Sequence, residues 1–233
     1  MKFCDMPYER IDFGKVKEEL LGLMKAFEMA ESAQEQFEIH KKYYALSDRV
    51  STQVTLASIR HSMDTTDAFY EEEKAYYDEQ VPAYSNLSVE YLKLLYHSRF
   101  REELEQIIGP VAFKNMELSF RCVNESVIPI MQEENALVTE YEKLLASAKI
   151  DWDGEILNLS LLGPYLKHKD PEVRRRAYEK QNAFFMGIAD KLDELYDKLV
   201  KNRTRQAKEL GFESYTELGY LRMQRNSYQR EQV

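Results

Sequence analysis

The stretch from residue 170 to residue 211 constrains the fold more than any other part of the sequence. Asp170-Pro171-Glu172 is a typical helix start, because the aspartate accepts from free amides, the proline fits the first turn and the glutamate complements the positive helix end. Gly211 lies where a left-handed residue would end the helix. One helix of about 40 residues and about 60 Å is therefore predicted, and such a helix normally braces a larger body. Its predicted apolar face contains Phe184, Ile188, Leu192, Leu195, Leu199 and Val200.

The rest of the chain also favours helices over sheets. Only 8 glycines and 6 prolines occur in 233 residues. Asp12 is a candidate N-cap for a first helix, and a second helix is predicted between residues 34 and 63. A third is predicted from the capping cluster at residues 65–67 to Pro82, because a proline cannot continue the hydrogen-bond ladder of a helix. Shorter helices are predicted at residues 88–97, 101–108 and 110–123, before a long one from Pro129.

The predicted long helices carry apolar faces that should meet neighbouring helices. Apolar residues spaced three and four apart lie on one stripe of a helix. We expect the second helix to pack antiparallel on the first. The predicted faces are Phe13, Val16, Leu20, Leu23, Met24 and Phe27 in the first helix, Phe37, Tyr44, Val50, Val54 and Ile59 in the second, and Ile130, Leu137, Tyr141, Leu144 and Leu145 in the helix from Pro129.

A single β-hairpin interrupts the helical pattern near residues 150–159. Asp153-Gly154 forms its predicted tip, since both positions of a two-residue hairpin turn favour positive φ. Ile150 and Trp152 should then share a face with Leu157 and Leu159. The predicted fold class is all-α, with long antiparallel helices and this one small hairpin. We divide the chain into an N-terminal helical domain at 1–149 and a unit of hairpin plus long helix at 150–233.

Composition excludes several classes of function. The net charge of −9 disfavours a nucleic-acid partner, which requires concentrated Lys and Arg. Residues 1–170 carry a net charge of −12 and residues 171–233 carry +3, which we interpret as solvated surfaces. Cys4 and Cys122 are too far apart for a disulfide framework and indicate free thiols in a reduced, cytoplasmic setting. The sequence shows neither a secretory signal nor a membrane-spanning apolar run.

The sequence shows no metal-binding or catalytic constellation. None of the four histidines, at positions 40, 61, 97 and 168, is followed by Glu or has an i,i+4 partner of His or Glu type that would form a metal pair on one helical face. We interpret them as surface or structural residues, and the lysines beside His168 favour a solvated loop there. Glycine-rich phosphate loops, Gly-x-Ser-x-Gly elbows and Cys-x-x-Cys pairs are also absent from the sequence. We therefore predict no catalytic, cofactor-binding or metal-binding residue in this chain.

Acidic, basic and aromatic clusters leave alternatives open. The acidic runs at 71–73 and 133–134 are interpreted as solvated helix faces, because sequence neighbours point in different directions around a helix. Residues 174–176, all arginine, could bind a peptide carboxylate, but a helix surface balanced by nearby Glu is favoured. Some aromatic residues could line a peptide groove while most belong to the core. The candidates are Tyr43, Tyr44, Tyr76, Tyr77, Phe184, Phe185, Tyr215, Tyr220 and Tyr228.

A specific order of elements and motifs occupies residues 150–228. The hairpin is followed by the helix start Asp170-Pro171-Glu172-Val173-Arg174-Arg175, by the long helix and by the motif Leu210-Gly211-Phe212-Glu213-Ser214-Tyr215-Thr216-Glu217-Leu218-Gly219-Tyr220-Leu221-Arg222-Met223. In this order and in these motifs, residues 150–228 resemble the oligoendopeptidase F-like zinc peptidases. Over residues 1–149 the resemblance consists of helical character and order alone.

The resemblance implies an almost entirely helical enzyme whose two halves enclose a channel for short unfolded peptides. In that family a C-terminal His-Glu-x-x-His helix and a downstream Glu hold zinc, which activates a water for hydrolysis. This sequence has none of those positions, so no catalytic residue can be transferred to it. The resemblance assigns this chain to one wall of the channel, with zinc held by the full-length enzyme and not by this stretch.

Two hypotheses follow from the sequence. In the first, the chain is the N-terminal portion of a zinc oligopeptidase, and coding sequence beyond codon 233 should contain a His-Glu-x-x-His helix. In the second, it is a non-catalytic helical module that binds peptides or proteins. The first is favoured, and it implies apolar surface that the missing catalytic half would cover and through which the chain could self-associate.

The isolated chain should be inactive. Without zinc ligands it should neither bind stoichiometric Zn²⁺ nor cleave a quenched fluorescent peptide. Metal analysis and a peptide-cleavage assay on pure protein check this, and turnover that a chelator abolishes would contradict it.

Overall fold

The computed structural model describes residues 5–225, 227–228 and 230–232. Helices dominate these residues, with one two-stranded antiparallel sheet, as the sequence predicts. Short 3-10 turns occupy Glu125–Val127 and Arg230–Gln232. The elements in chain order are α1 (Phe13–Met29), α2 (Ala33–Met63), α3 (Ala68–Tyr96), α4 (Arg101–Ile108), α5 (Pro110–Phe120), α6 (Ile128–Ala146), β1 (Ile150–Trp152), β2 (Glu155–Leu157), α7 (Leu159–Leu166), α8 (Pro171–Glu209) and α9 (Tyr215–Arg222).

Helices α1, α2 and α3 build the main apolar core together with α4 and α5. The predicted N-cap is confirmed, since Asp12 accepts from the amide of Lys15. Helices α1 and α2 are antiparallel: Gln36 bonds to the carbonyl of Phe27 near their junction, and Arg49 reaches Glu19 farther along both helices. The predicted packing of the first two helices is therefore confirmed.

The predicted apolar face of α2 is partly wrong. Tyr44 and Ile59 were expected in the core but are 48% and 41% exposed. The buried residues of α2 instead include Leu46, Val50, Leu56 and Ala57. Polar side chains toward both ends of the helix are buried on it as well. These buried polar residues are Gln36, His40 and His61.

Helix α3 does not end at Pro82, as the sequence suggested, but continues to Tyr96 with the proline buried inside it. Proline has no amide hydrogen, so the carbonyl of Asp78 loses its helical donor. The side chain of Asn135 on α6 donates to that carbonyl at 3.0 Å, and Gln132 donates to the carbonyl of Glu79 at 2.6 Å. Because α6 supplies these donors, the helix passes through the proline.

The hairpin is confirmed, with a turn at Asp153 and Gly154 in which both residues have positive φ. Ile150 pairs with Leu157, and these two residues and Trp152 are buried against α7 and the start of α8. Leu159 was expected on the second strand but begins α7, because Asn158 caps that helix by accepting from the amide of Leu161 at 2.8 Å.

Helix α8 has the predicted start and end. Asp170 accepts from the amide of Glu172, and Gly211 has a φ of +83°. Beyond that glycine the amide of Phe212 donates to the carbonyl of Ala207 at 2.8 Å, which satisfies one of the free carbonyls of the last turn. Phe212 then packs on Ala207 and Leu218, so the turn joins α8 firmly to α9.

The structure also bears on the predictions about the cysteines and about membrane-spanning helices. Cys122 is a free, half-buried thiol that donates to the carbonyl of Leu118, whereas Cys4 lies outside the described residues. Of the helices in the described part of the chain, none is long and apolar enough to cross a membrane. The division at residues 149 and 150 stays a prediction.

A double-mutant cycle tests how α3 accommodates Pro82. N135A should destabilise the protein by about 1–2 kcal/mol, because the part-buried carbonyl of Asp78 loses its donor. In a P82A background the cost of N135A should shrink, because residue 82 regains the amide that normally serves this carbonyl. Urea unfolding of the four proteins gives the coupling, and equal costs of N135A in both backgrounds would contradict this explanation.

Candidate functional site

The exposed side of α8 carries large apolar side chains. The buried residues of α8 lie at Ala177, beside the hairpin, and from Leu195 onward, beside α6 and α9. Tyr178, Met186, Tyr196 and Val200 are exposed, and Met186 and Tyr196 are 76% and 72% accessible. We call these four residues the α8 stripe.

The four residues of the α8 stripe lie on one side of the helix. At 3.6 residues per turn its four side chains fall within about 80° of rotation and span about 33 Å. Large apolar side chains that share one exposed face usually mark a surface that another element covers. The predicted apolar face of α8 is correct only in part, since Leu195 is buried, Ile188 and Leu192 are half-buried, and Val200 is exposed.

A buried carboxylate fixes the C-terminal end of this surface. Glu134 on α6 is 4% exposed and accepts from Arg203 at 2.8 Å, from Gln206 at 2.8 Å and from Arg222 at 2.9 Å. Asn202 extends the network by donating to the carbonyl of Ile130 and accepting from Gln206. These hydrogen bonds join α6, α8 and α9 in one polar junction, which we call the Glu134 junction.

Glu134 remains charged although it is buried. Burial raises the pKa of the carboxyl, but the hydrogen bonds from Gln206 and Arg203 and the charge of Arg222 outweigh burial and hold the pKa below its usual range. The interpretation of residues 133–134 as a solvated face is therefore wrong for Glu134. It fits Glu133, whose ion pair with Arg205 is half-exposed.

The second acidic run also divides into exposed and buried residues. Glu71 and Glu72 are exposed, whereas Glu73 is buried under residues 8–10. Tyr8 donates its hydroxyl to Glu73, and Arg10 donates from Nε at 2.7 Å. The prediction of a solvated face is wrong for Glu73, because the segment before α1 covers it. The sequence contains no local signal for this, since the partners lie more than 60 residues away.

The histidines do not come together. His40 and His61 are buried in α2, His97 caps α3, and His168 accepts from the amide of Asp170 in an exposed loop. His40 is stacked beside Tyr43 and Tyr91, and burial lowers its pKa to about 4. Among the described residues, no three His, Cys, Asp or Glu side chains form a group that could hold a metal ion.

The three successive arginines are paired within the chain. Arg174 donates to the carbonyls of His168 and Lys169 at 2.7 and 3.0 Å. Arg175 pairs with Glu172 and Glu179, and Arg176 pairs with Asp153 while lying over the ring of Trp152. The prediction of a helix surface balanced by acidic neighbours is confirmed.

The candidate groove aromatics do not form one groove. Tyr43 and Tyr77 are buried, Tyr44 and Tyr228 are exposed, and the others are half-buried. An open cleft of 570 Å³ lies between α1, α3 and the start of α6, and its aromatic side chains are Phe13 and Tyr84, neither of which was among the candidate groove aromatics. Leu87, Ile128, Lys17 and Glu125 complete much of its lining.

Substitution of the buried glutamate tests the Glu134 junction. E134Q should destabilise the chain by about 2–3 kcal/mol, because Arg203 and Arg222 lose a buried counter-charge but remain about one-third exposed. E133Q is the matched control and should cost less than about 1 kcal/mol. Since the folded pKa of Glu134 is depressed, its contribution is present above pH about 4.5 and is lost as the pH falls through the folded value. Urea unfolding at pH 7 checks the difference, and equal costs of the two substitutions would contradict it.

Comparisons with known proteins identify a family and several similar structures. Residues 3–123 match the family described as the peptidase M3 N-terminal domain. A solved structure named as an oligoendopeptidase F from Bacillus anthracis strain Ames is 39% identical, with a TM-score of 0.94. The match covers 99% of this chain and 42% of that one. A structure of PZ peptidase A with an inhibitor is 38% identical at the same TM-score, covering 99% and 41% of the two chains.

A more distant structure shares the fold alone. Oligoendopeptidase-F from Enterococcus faecium is 15% identical with a TM-score of 0.60, and the match covers 90% of this chain and 47% of that one. No curated protein matches the sequence. This chain thus spans about two-fifths of the length of the first two relatives.

Proposed function

This chain belongs to the family of peptidase M3 N-terminal domains, and we propose that it is the N-terminal, channel-forming part of a zinc-dependent oligopeptidase that hydrolyses short peptides. The observation that carries the proposal is the α8 stripe. A 39-residue helix with large apolar side chains exposed along its middle needs a second body to cover them. The relatives have such a body available, since more than half of their length lies outside the match.

In this proposal α8 is the brace between the two halves of the enzyme. Its start is held by the hairpin through Trp152 and Arg176, and its end is held by the Glu134 junction. With both ends fixed, the middle of the helix forms a rigid wall. Rigid walls can restrict a channel to short, unfolded peptides, because a folded protein cannot enter between them.

The chemistry of hydrolysis lies outside this chain in our proposal. The described residues do not supply a ligand set for zinc. The metal would be held by the catalytic half, where it would activate water for attack on the peptide bond. What this chain supplies is packing for that half and one side of the substrate path, so it should be inactive by itself.

The alternative function is a non-catalytic helical module that binds peptides or proteins. The same α8 stripe would then contact a separate partner rather than a catalytic half. The two functions differ in one measurable respect, since only the first requires that this chain complete a peptidase.

A complementation experiment tests the proposal. The part of the Bacillus anthracis relative outside the match would be joined to the C-terminus of this chain, and hydrolysis of a quenched peptide measured. We expect activity that a chelator removes and zinc restores. A fusion that folds and binds zinc but shows no hydrolysis would contradict the proposal and favour the interaction module.

Charged substitutions in that fusion test whether the α8 stripe contacts the catalytic half. M186D and Y196D place a carboxylate in the α8 stripe, and each should lower activity roughly tenfold or more, because burying an unpaired charge is unfavourable by several kcal/mol. K191Q makes the same change of one charge unit at another position of α8 and should leave activity unchanged. In the isolated chain, sedimentation velocity should show that Met186→Asp and Tyr196→Asp reduce self-association.

A further inference from the structure

The segment before α1 lies across α2 and α3 like a bound peptide. Tyr8 and Arg10, two residues apart, both contact Glu73, as side chains on one face of an extended chain do. Ile11 follows and is buried at 7% exposure. The segment is not helical, so its backbone groups need partners from elsewhere.

Side chains of α2 and α3 supply those partners. Arg60 donates to the carbonyl of Met6 at 2.6 Å, and Gln53 accepts from the amide of Glu9 at 2.9 Å. Two neighbouring tyrosines bond both backbone groups of Ile11, as a neighbouring β-strand would. Tyr77 accepts from its amide at 3.1 Å, and Tyr76 donates to its carbonyl at 2.8 Å.

The same surface also contacts the side chains of Tyr8 and Arg10. The carboxylate of Glu73, whose side chain is 1% exposed, accepts from the hydroxyl of Tyr8 and from the guanidinium of Arg10. Arg10 also pairs with Glu72 at 2.7 Å. The ring of Tyr8 packs edge-on against Phe69 and Tyr70. Main-chain contacts of this kind accept any sequence, whereas the contacts to Tyr8 and Arg10 select one.

The buried carboxylate of Glu73 depends on Tyr8 and Arg10 for its stabilisation. Burial raises the pKa of Glu73, but hydrogen bonds from Arg10 and Tyr8 outweigh burial and lower it, so the carboxylate is ionised. Without Tyr8 and Arg10 a buried negative charge would lose the partners that hold it. A guanidinium suits this position better than an ammonium, because its planar donors contact two carboxylates at once.

We propose that Gln53, Arg60, Glu72, Glu73, Tyr76 and Tyr77 form a recognition site for an extended peptide of pattern Tyr-x-Arg-Ile. We call these six residues the α2–α3 groove. Residues 6–11 fill the groove in cis, and a peptide of the same pattern replaces them in trans. The site is independent of the α8 stripe and of the proposed peptidase function.

The cis segment should protect the groove from competitors. A tethered segment competes at an effective concentration of roughly millimolar, so a free peptide binds the unaltered chain only weakly. Removal of Tyr8 and Arg10 side chains should free the groove while leaving its six residues in place.

Binding of a labelled peptide to the intact-length chain tests the proposal. The probe is a fluorescent peptide with the sequence of residues 6–11 and blocked ends, followed by anisotropy. We expect saturable binding to the Y8A/R10A chain, and binding roughly tenfold or more weaker to the unaltered chain. A peptide in which lysine replaces the arginine should bind the Y8A/R10A chain more weakly than the original.

Groove variants in the Y8A/R10A background separate recognition from nonspecific binding. E73Q should remove peptide binding, whereas the neighbouring E72Q, which alters a more exposed pair, should weaken it only slightly. Circular dichroism verifies that each variant is folded. If Y8A/R10A lacks a cooperative thermal transition, the peptide should restore one. A folded Y8A/R10A chain without saturable binding, equal binding to its E73Q form, or an unfolded chain that the peptide does not restore would overturn the proposal.

Discussion

Hydrogen bonds from polar side chains of α6 connect this helix to α3 on one side and to α8 and α9 on the other. Glu134 and Leu137 are the buried residues of α6, and polar side chains of this helix bond to its neighbours on two sides. On one side Asn135 and Gln132 satisfy carbonyls that α3 exposes around Pro82. On the other side Glu134 accepts from α8 and α9. Consecutive polar residues of one helix thus determine the path of α3 and the position of the α8–α9 corner.

This arrangement explains why a helix of 39 residues can cross the molecule with its middle exposed. The hairpin and α7 form a small apolar cluster at the start of α8, and the Glu134 junction and α9 hold its end. Between these anchors the helix does not need a core of its own, because its backbone hydrogen bonds are internal. The α8 stripe is therefore free for a contact that the fold itself does not require, as the proposed function demands.

Two glutamates show how tertiary structure changes the meaning of an acidic run. Glu73 and Glu134 each have a neighbouring glutamate that remains exposed, yet both are buried and ionised beside arginines. In one case the partners come from the segment before α1, and in the other from α8 and α9. Composition and local pattern describe all these carboxylates alike, because the arginines that distinguish them lie more than 60 residues away in sequence.

The sequence by itself determined the features that depend on near neighbours. Asp12 and Asp170 as caps, the hairpin turn at Asp153, the left-handed Gly211 and the all-helical class all follow from local backbone chemistry. The long motif after α8 also indicated the family. Only the tertiary structure decided that α3 continues through Pro82, that Tyr44 and Ile59 remain exposed, and that Glu73 and Glu134 are buried. Each of these outcomes depends on a donor, an acceptor or an apolar surface supplied by a distant element, and periodicity along one helix carries no information about that element.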